Sequence, residues 1–299
     1  MLAFLSRATA RLTDFIEDAE FLDALSGPLA TGASKLLPRG PVNDLLSGTA
    51  GGHPLHPALV LAPLGCWLSA TTLDALGGPG SRNAARRLLG VGSVAALPAA
   101  LAGVNDWMDT TGPEQRVGLV HALVNASGLS LFTASWWVRG QGHHGVGVAL
   151  SSGAMALAAA GGWLGGHLAY ARGVGVDTTV FQSAVQDWTD VGTDDQVREG
   201  TPILVRAHGT PVMLVRDGST IMALADRCTH RGAPLHEGTI DDGCVTCPWH
   251  GSKFRLADGA ITHGPATRPQ PRFDVRVMNG RVQVRQAGVL TSLRTNPVS

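Results

Sequence analysis

The sequence predicts two regions of different fold class: a membrane α-helical bundle of four transmembrane helices, followed by a small all-β domain. Four stretches between residues 57 and 170 are apolar over about 20 residues each, the length a helix needs to cross a bilayer. Charged residues make up only 15% of the 299 residues, against about 25% in ordinary soluble domains. From about Trp188 onward the pattern changes to short β-branched runs bounded by turn residues.

These patterns divide the chain into four parts. An N-terminal amphipathic helical segment is predicted over residues 1–48, and a four-helix transmembrane domain over residues 49–175. A small β domain is predicted over residues 187–287, and a C-terminal tail over residues 288–299.

The apolar stretches predict a multi-pass membrane protein, with the lipid membrane as a partner. A water-soluble bundle is the alternative, but four such segments with short polar connections leave little polar surface to face water. The second stretch is the shortest and contains Pro98, which membrane helices tolerate when neighbours satisfy the freed carbonyls. The predicted spans are Pro57–Leu76, Leu88–Val104, Val117–Val138 and Val146–Tyr170. An even number of spans returns the chain to its starting side, and the spread of arginines leaves the orientation open.

The N-terminal segment has apolar residues at helical spacing, including Phe15, Ile16 and Leu22, with acidic residues on the other faces. A helix that binds a lipid surface usually carries a basic polar face. We therefore expect this segment to pack against the rest of the protein.

Histidines lie at the predicted ends of three membrane helices, namely His56, His121 and His167. Polar residues at such positions are candidate functional sites, and these could bind haem b, a metal or a quinone head group. They could equally be ordinary residues at the headgroup level. The sequence contains no Cys-x-x-Cys-His motif, which excludes covalently attached c-type haem by that criterion.

The most specific signal is a pair of short motifs, Cys228-Thr229-His230 and Cys247-Pro248-Trp249-His250, with 16 residues between His230 and Cys247. Two thiolates and two imidazoles can hold a [2Fe–2S] cluster, with the thiolates on one iron and the imidazoles on the other. A structural zinc site is the alternative. Zinc sites usually group cysteines with cysteines and histidines with histidines, whereas each motif here mixes one of each.

The motifs CTHRGAPL and CPWHGSKF, followed by a proline-rich loop at Gly264-Pro265, resemble the Rieske ferredoxin family over about the last third of the chain. The resemblance implies a one-electron carrier. It assigns Cys228 and Cys247 to the buried iron and His230 and His250 to the outer iron, near solvent.

The resemblance also bears on the reduction potential, which in Rieske centres spans about −150 to +300 mV. High-potential members carry two further cysteines as a disulfide and donate hydrogen bonds from a serine and a tyrosine. Here Ala233 and Trp249 stand at the cysteine positions, Ser252 is present, and Phe254 replaces the tyrosine. A cluster with fewer hydrogen-bond donors around it has a less stabilised reduced state. The resemblance therefore implies a reduction potential in the low half of the range.

A second resemblance covers roughly residues 48–175. The HPLHP-type motif at His53–Pro57, together with stretches around Asp106, His121 and His167, is similar to an uncharacterised four-helix bacterial membrane domain. This family brings no established activity.

Together these observations predict a membrane-anchored electron-transfer protein of the bacterial cell membrane. It would pass single electrons between a redox protein partner and a membrane component. Alternatives are a redox or metal sensor whose cluster controls the bundle, and an electron-supplying component of a multi-protein oxygenase. Zero net charge gives no indication of nucleic-acid binding.

No catalytic residue is assigned. An oxygenase site would need a 2-His-1-carboxylate iron centre in a large domain after the cluster module, and only a short stretch follows Arg285. We therefore expect an oxidoreductase component without its own substrate-oxidising site.

Overall fold

The computed structural model describes residues 2–287, with side chains from residue 9, so the predicted tail at 288–299 lies outside the described residues. A helical region with four long apolar helices precedes an all-β domain, which confirms the predicted fold class. The chain forms two compact units, and the division does not follow the chain linearly. Arg39–Asp44 and Gly48–His53 group with the β domain, whereas Leu45–Ser47 and Pro54–Gly175 group with the N-terminal helices.

In the helical unit, the segments long and apolar enough to cross a membrane are His56–Leu76, Pro79–Trp107, Gly112–Gly140 and His144–Ala171. The second is longer than predicted because its helix begins at Arg82; arginine propagates a helix well although it lowers hydropathy. The helices are α1 (Leu2–Glu17), α2 (Asp23–Leu36), α3 (Pro41–Ser47), α4 (His56–Leu59), α5 (Leu61–Leu76), α6 (Arg82–Trp107), α7 (Gly112–Gly140) and α8 (His144–Gly166).

The interior of the helical bundle is built from small residues around a few large ones. The rings of Trp67 and Phe132 stack with centroids 4.1 Å apart, and alanines on α6 and α8 let the helices approach them closely. The outer faces carry exposed apolar side chains such as Leu68 and Val94. Apolar outer faces are what a bilayer requires, and all backbone groups of a helix are satisfied internally.

The N-terminal segment packs on the ends of the long helices. Ile16 of α1 joins a small core with Val117 and Leu164. Glu17 accepts a 2.7 Å hydrogen bond from His167 and lies 3.2 Å from Arg172. The acidic face of α1 therefore contacts protein groups, as its sequence indicates.

The β unit contains two antiparallel sheets. The larger sheet has the strand order β1-β10-β9-β4-β3-β2, and the smaller has the order β5-β6-β7-β8. Asn279 and Gly280 both have positive φ and join β9 to β10 in a two-residue turn, as predicted. The strands are β1 (Thr189–Thr193), β2 (Ile203–Ala207), β3 (Thr210–Asp217), β4 (Thr220–Ala225), β5 (Thr239–Asp241), β6 (Cys244–Thr246), β7 (Lys253–Arg255), β8 (Ile261–His263), β9 (Arg272–Met278) and β10 (Arg281–Gln286).

Candidate metal centre

The first candidate ligand loop follows β4. The backbone N–H of Cys228 donates to the carbonyl of Ala233, and the N–H of Gly232 donates back to the carbonyl of Cys228, both at 2.9 Å. Gly232 has φ of +79°, a left-handed conformation that glycine adopts without steric cost. This turn fixes the backbone conformation of the segment that contains Cys228 and His230.

The second candidate ligand loop, between β6 and β7, repeats this geometry. Cys247 N–H donates to Ser252 at 2.8 Å, and Gly251 N–H donates to Cys247 at 3.1 Å. Gly251 has φ of +76°. The glycine after each histidine therefore closes an equivalent turn, although one motif is Cys-x-His and the other is Cys-x-x-His.

The structure brings the four predicted ligands together in two pairs, one of thiols and one of imidazoles. Cys228 and Cys247 are buried in the core between the smaller sheet and β3, with their thiols in hydrogen-bond contact. The imidazoles of His230 and His250 lie with ring centroids 5.0 Å apart. Two imidazoles on one tetrahedral metal, with metal–nitrogen bonds of about 2.0–2.1 Å, place their centroids about 5 Å apart. The thiols lie on the inner side and the imidazoles on the outer side, beside the exposed ring of Trp249.

The donor set fits a binuclear cluster better than a single ion. Within residues 2–287, no group of three or more His, Cys, Asp or Glu side chains is arranged to hold one metal ion. A [2Fe–2S] cluster takes only two protein ligands on each iron. One pair of thiols and a separate pair of imidazoles meet that requirement.

Metal binding needs thiolates and neutral imidazoles, and the pKa shifts of Cys247 and His230 favour these forms. Burial, followed by the neighbouring charges of His250 and Arg231, holds the pKa of His230 well below its usual value. A hydrogen bond from the Cys228 thiol lowers the pKa of Cys247 to about 6. Donation of that hydrogen bond, together with burial, raises the pKa of Cys228.

Ser252, the predicted hydroxyl donor, is fully buried behind the second loop. Its Oγ accepts a 3.0 Å hydrogen bond from the N–H of Ala266, in the third loop between β8 and β9. That hydrogen bond uses an oxygen lone pair and leaves the hydroxyl proton as the donating group.

One residue that supports the site was missed in the sequence. Gln270 is buried, accepts from Thr229 N–H at 3.1 Å, and donates to the carbonyls of Ala225 and Arg227 at 2.6 and 2.7 Å. It ties the third loop to the first ligand loop. Only its position just after the proline-rich stretch could have indicated this role.

The three predicted histidines of the helical unit are not gathered at one point. His56 and His121 approach each other edge to face, with centroids 6.3 Å apart. Their Nδ1 atoms contact the carbonyl oxygens of Ala99 and Gly161 at 2.8 and 2.9 Å. His167 instead bonds to Glu17.

Glycines make room for this histidine pair. A Cβ at Gly103 would lie 3.0 Å from the His56 ring, and a Cβ at Gly165 would lie 3.1 Å from the His121 ring. A Cβ at Gly161 would collide with the Asn125 amide, whose Nδ2 lies 3.3 Å from both ring nitrogens of His121. These glycines therefore accommodate polar side chains inside the bundle.

Two known families match separate parts of the chain. Residues 187–278 match the family described as "Rieske [2Fe-2S] domain". Residues 52–178 match a family described as "Predicted membrane protein (DUF2231)".

Individual relatives match the β domain. The anthranilate 1,2-dioxygenase ferredoxin subunit of Burkholderia cepacia is 32% identical over 103 residues, which are 34% of this chain and 95% of that protein. Ferredoxin CarAc of Metapseudomonas resinovorans is 42% identical over 62 residues, 21% of this chain and 58% of that protein. Among solved structures, the ferredoxin of carbazole 1,9a-dioxygenase from Nocardioides aromaticivorans IC177 is 31% identical with a TM-score of 0.33; the match covers 34% of this chain and all of that one.

Proposed function

Because the chain belongs to the Rieske [2Fe–2S] family through its C-terminal third, we propose that it is a membrane-anchored one-electron carrier. We assign the cluster ligands as Cys228 and Cys247 on the inner iron and His230 and His250 on the outer iron. The convergence of these side chains carries the proposal: the thiols touch inside the core, and the imidazoles lie 5.0 Å apart outside it.

When bound, the cluster supplies reversible one-electron chemistry. The chain's own residues determine where an electron enters. The buried thiols shield the inner side, whereas the partly exposed residues His230 and His250, with Trp249, which is 58% exposed, form the outer edge. A redox protein partner would dock at this edge.

The four apolar helices anchor the carrier in a bilayer, and we propose the bacterial cell membrane as its location. The match to a predicted membrane protein family and the apolar outer faces of the helices support this location. Because both units belong to one chain, the anchor would keep the cluster domain attached to the membrane.

The sequence relatives favour one class of partner. Both relatives described above are ferredoxins, and one of the two is named as the ferredoxin subunit of a dioxygenase. Delivery of electrons to a separate oxygenase is therefore the second candidate function. The two candidates are distinguished by mixing the reduced protein with candidate acceptors and following cluster reoxidation.

The defining experiment is the spectroscopy of detergent-extracted full-length protein. We expect two irons and two sulfides per chain and a Rieske-type EPR signal after reduction. A protein that binds iron but gives no such signal contradicts the proposal.

Ser252 tests the assignment of the cluster environment. We expect Ser252→Ala to lower the midpoint potential, because the hydroxyl proton that stabilises the reduced cluster is removed. We expect the wild-type midpoint itself to lie in the lower half of the Rieske range, and a midpoint above about +150 mV would contradict this expectation. An EPR-monitored redox titration measures both. An unchanged midpoint in a fully loaded variant shows that Ser252 serves only the backbone of Ala266.

His56 and His121 support a second redox site within the bundle. If each Nδ1–H donates to the carbonyl it contacts, each Nε2 presents a lone pair to a haem iron or a quinone hydrogen bond, and on His121 such a ligand would displace the Asn125 amide, which lies 3.3 Å away. We expect the purified protein to show b-type haem absorption that His121→Ala abolishes and His167→Ala retains, since His167 bonds to Glu17. A spectrum without haem, combined with no quinone in the lipid extract, assigns the bundle to anchoring alone.

A further inference from the structure

The stretch of chain that precedes β1 lies against a candidate ligand loop. Residues 177–186, here called the connecting segment, belong to the β unit. The hydroxyl of Thr178 donates a 2.7 Å hydrogen bond to the carbonyl of Cys228. The backbone N–H of the same residue donates to the next carbonyl, that of Thr229, at 3.2 Å. Thr178 therefore binds two successive carbonyls of the segment that contains Cys228 and His230.

These hydrogen bonds complete the pairing of a buried stretch of backbone. The carbonyl of Cys228 already accepts from Gly232 N–H at 2.9 Å, and a carbonyl oxygen has two lone pairs. The hydroxyl of Thr178 occupies the second lone pair. Cys228 and Thr229 are only 1% and 3% exposed, and buried carbonyls take their hydrogen bonds from protein groups because water has little access to them.

The residue between the two candidate ligands is also held by the third loop. Thr229 N–H donates to Gln270 Oε1 at 3.1 Å, and the Thr229 hydroxyl donates to the carbonyl of Arg268 at 2.9 Å. With the bond from Thr178 N–H, the amide, the carbonyl and the hydroxyl of Thr229 are all hydrogen-bonded. The connecting segment and the third loop together fix this residue.

A local turn presents Thr178 to the ligand loop. Oδ1 of Asp177 accepts from the N–H and the hydroxyl of Thr179 at 2.8 and 2.7 Å, which is the pattern of an Asx turn. The carbonyl of Asp177 accepts from Val180 N–H at 3.3 Å. These bonds close the backbone around Thr178 and fix the direction of its two donors.

The other end of the connecting segment is fixed to the larger sheet. The carbonyl of Ser183 accepts from the hydroxyl of Thr210 at 2.9 Å, and the carbonyl of Val185 accepts from Gln286 N–H at 2.7 Å. Val185 is 1% exposed and packs in a core with residues of that sheet. Thr178 therefore belongs to a segment that is itself attached to β3 and β10.

We propose that Thr178 is a positioning residue for the cluster, and that it holds the first ligand loop in the conformation that places Cys228 and His230. The inference rests on the proposed function, since it needs the cluster to be present. A shift of the loop away from Thr178 breaks two hydrogen bonds at once. Groups that hold metal ligands in place strengthen metal binding. Thr178 lies outside the matched Rieske residues 187–278, so the connecting segment supplies a support that those residues do not contain.

The test is Thr178→Val in the detergent-extracted full-length protein. This change keeps the shape and the backbone N–H and removes only the hydroxyl. We expect an iron chelator to bleach the cluster about 2- to 10-fold faster than in the wild type, the range that the loss of one hydrogen bond implies. We also expect broader EPR lines from the reduced cluster, because a less fixed loop allows a spread of iron–imidazole geometries. Thr178→Ser keeps the hydroxyl and should restore wild-type behaviour in both measurements.

Thr210→Val is the matched control. It makes the same chemical change at a residue that is 5% exposed and donates to the same connecting segment, at Ser183 instead of a ligand loop. We expect the control to keep the wild-type bleaching rate and EPR linewidth even if it lowers the unfolding temperature. Thermal unfolding of both variants separates a change at the cluster from a general loss of stability.

Asp177→Ala tests the same inference through the turn instead of the hydroxyl. We expect it to speed bleaching and broaden the EPR lines in the same direction. Its effect should be less than additive with that of Thr178→Val, since both changes weaken the same contact. If Thr178→Val bleaches no faster than Thr210→Val and keeps the wild-type linewidth, the inference is wrong. If the wild type itself shows no Rieske signal, the proposed function has failed instead.

Discussion

Replacing Cys247 by serine is expected to abolish the cluster, whereas Cys244→Ser, three residues earlier, is expected to leave it intact. Cys247 is 3% exposed and its thiol hydrogen-bonds to Cys228. Its pKa of about 6 makes it the thiol that more readily becomes the anionic ligand of the pair. A serine hydroxyl at this position neither ionises near neutral pH nor binds iron as a soft thiolate does.

Cys244 provides a matched control. It begins β6, and its sulfur lies 3.8 Å from the hydroxyl of Thr262, away from the ligand pairs. We expect Cys244→Ser to keep wild-type iron, acid-labile sulfide and EPR intensity. Cys247→Ser should lose all three.

Two outcomes would contradict the assignment. A Cys247→Ser variant that retains a Rieske signal would show that another residue binds the inner iron. Loss of the signal in Cys244→Ser, in a variant that circular dichroism shows to be folded, would identify Cys244 as a ligand instead. Circular dichroism of both variants separates loss of ligation from loss of fold, because Cys247 also belongs to the buried core.

The closeness of each candidate cysteine to its histidine could be predicted from the sequence because that geometry is local. Each cysteine lies in the same turn as its histidine. Gly232 and Gly251 close these two turns, and their spacing from the cysteines is visible in the sequence. The family resemblance has the same local origin and is confirmed by the match over residues 187–278. The Asn279-Gly280 turn was predictable for the same reason.

Long-range contacts could not be predicted. Gln270 reaches the first ligand loop across 41 residues, and Asp44 reaches Gly264 across 220. Side chains of this kind look like ordinary polar loop residues, because nothing in their neighbourhood marks the distant partner. His167 was grouped with His56 and His121 by its place at a helix end, but a residue 150 positions earlier, Glu17, bonds to it.

The interior of the helical unit contains a second feature whose removal should have a large effect. Arg139 of α7 forms two hydrogen bonds to Asp74 of α5, at 2.7 and 2.6 Å, with side chains only 2% and 6% exposed. The hydroxyls of Ser135 and Ser151 bind the same guanidinium at 3.1 and 2.9 Å. We expect Asp74→Asn to destabilise the unit by about 3–5 kcal/mol, because it leaves a buried charge without its partner.

The measurement is thermal unfolding of the purified protein in detergent. Asp23→Asn makes the same chemical change in the Arg116–Asp23 pair, whose aspartate side chain is 47% exposed. We expect a much smaller fall in the unfolding midpoint there, because the half-exposed Asp23 is already solvated and Arg116, which is itself 11% exposed, keeps its 2.6 Å hydrogen bond to the carbonyl of Glu17. Equal losses in the two variants would mean that the Asp74 carboxylate contributes no more than a surface charge.

A double variant separates the charge from the packing. Asp74→Leu with Arg139→Met removes both buried charges and fills similar volume, and replacing a whole buried ion pair by apolar residues is often neutral. We expect the double variant to recover most of the stability lost in Asp74→Asn. Since each single change leaves a buried charge that the double change removes, the two effects should be strongly non-additive. Recovery would show that the pair matters for matching charges between α5 and α7, whereas additive losses would show that Ser135 and Ser151 require the guanidinium itself.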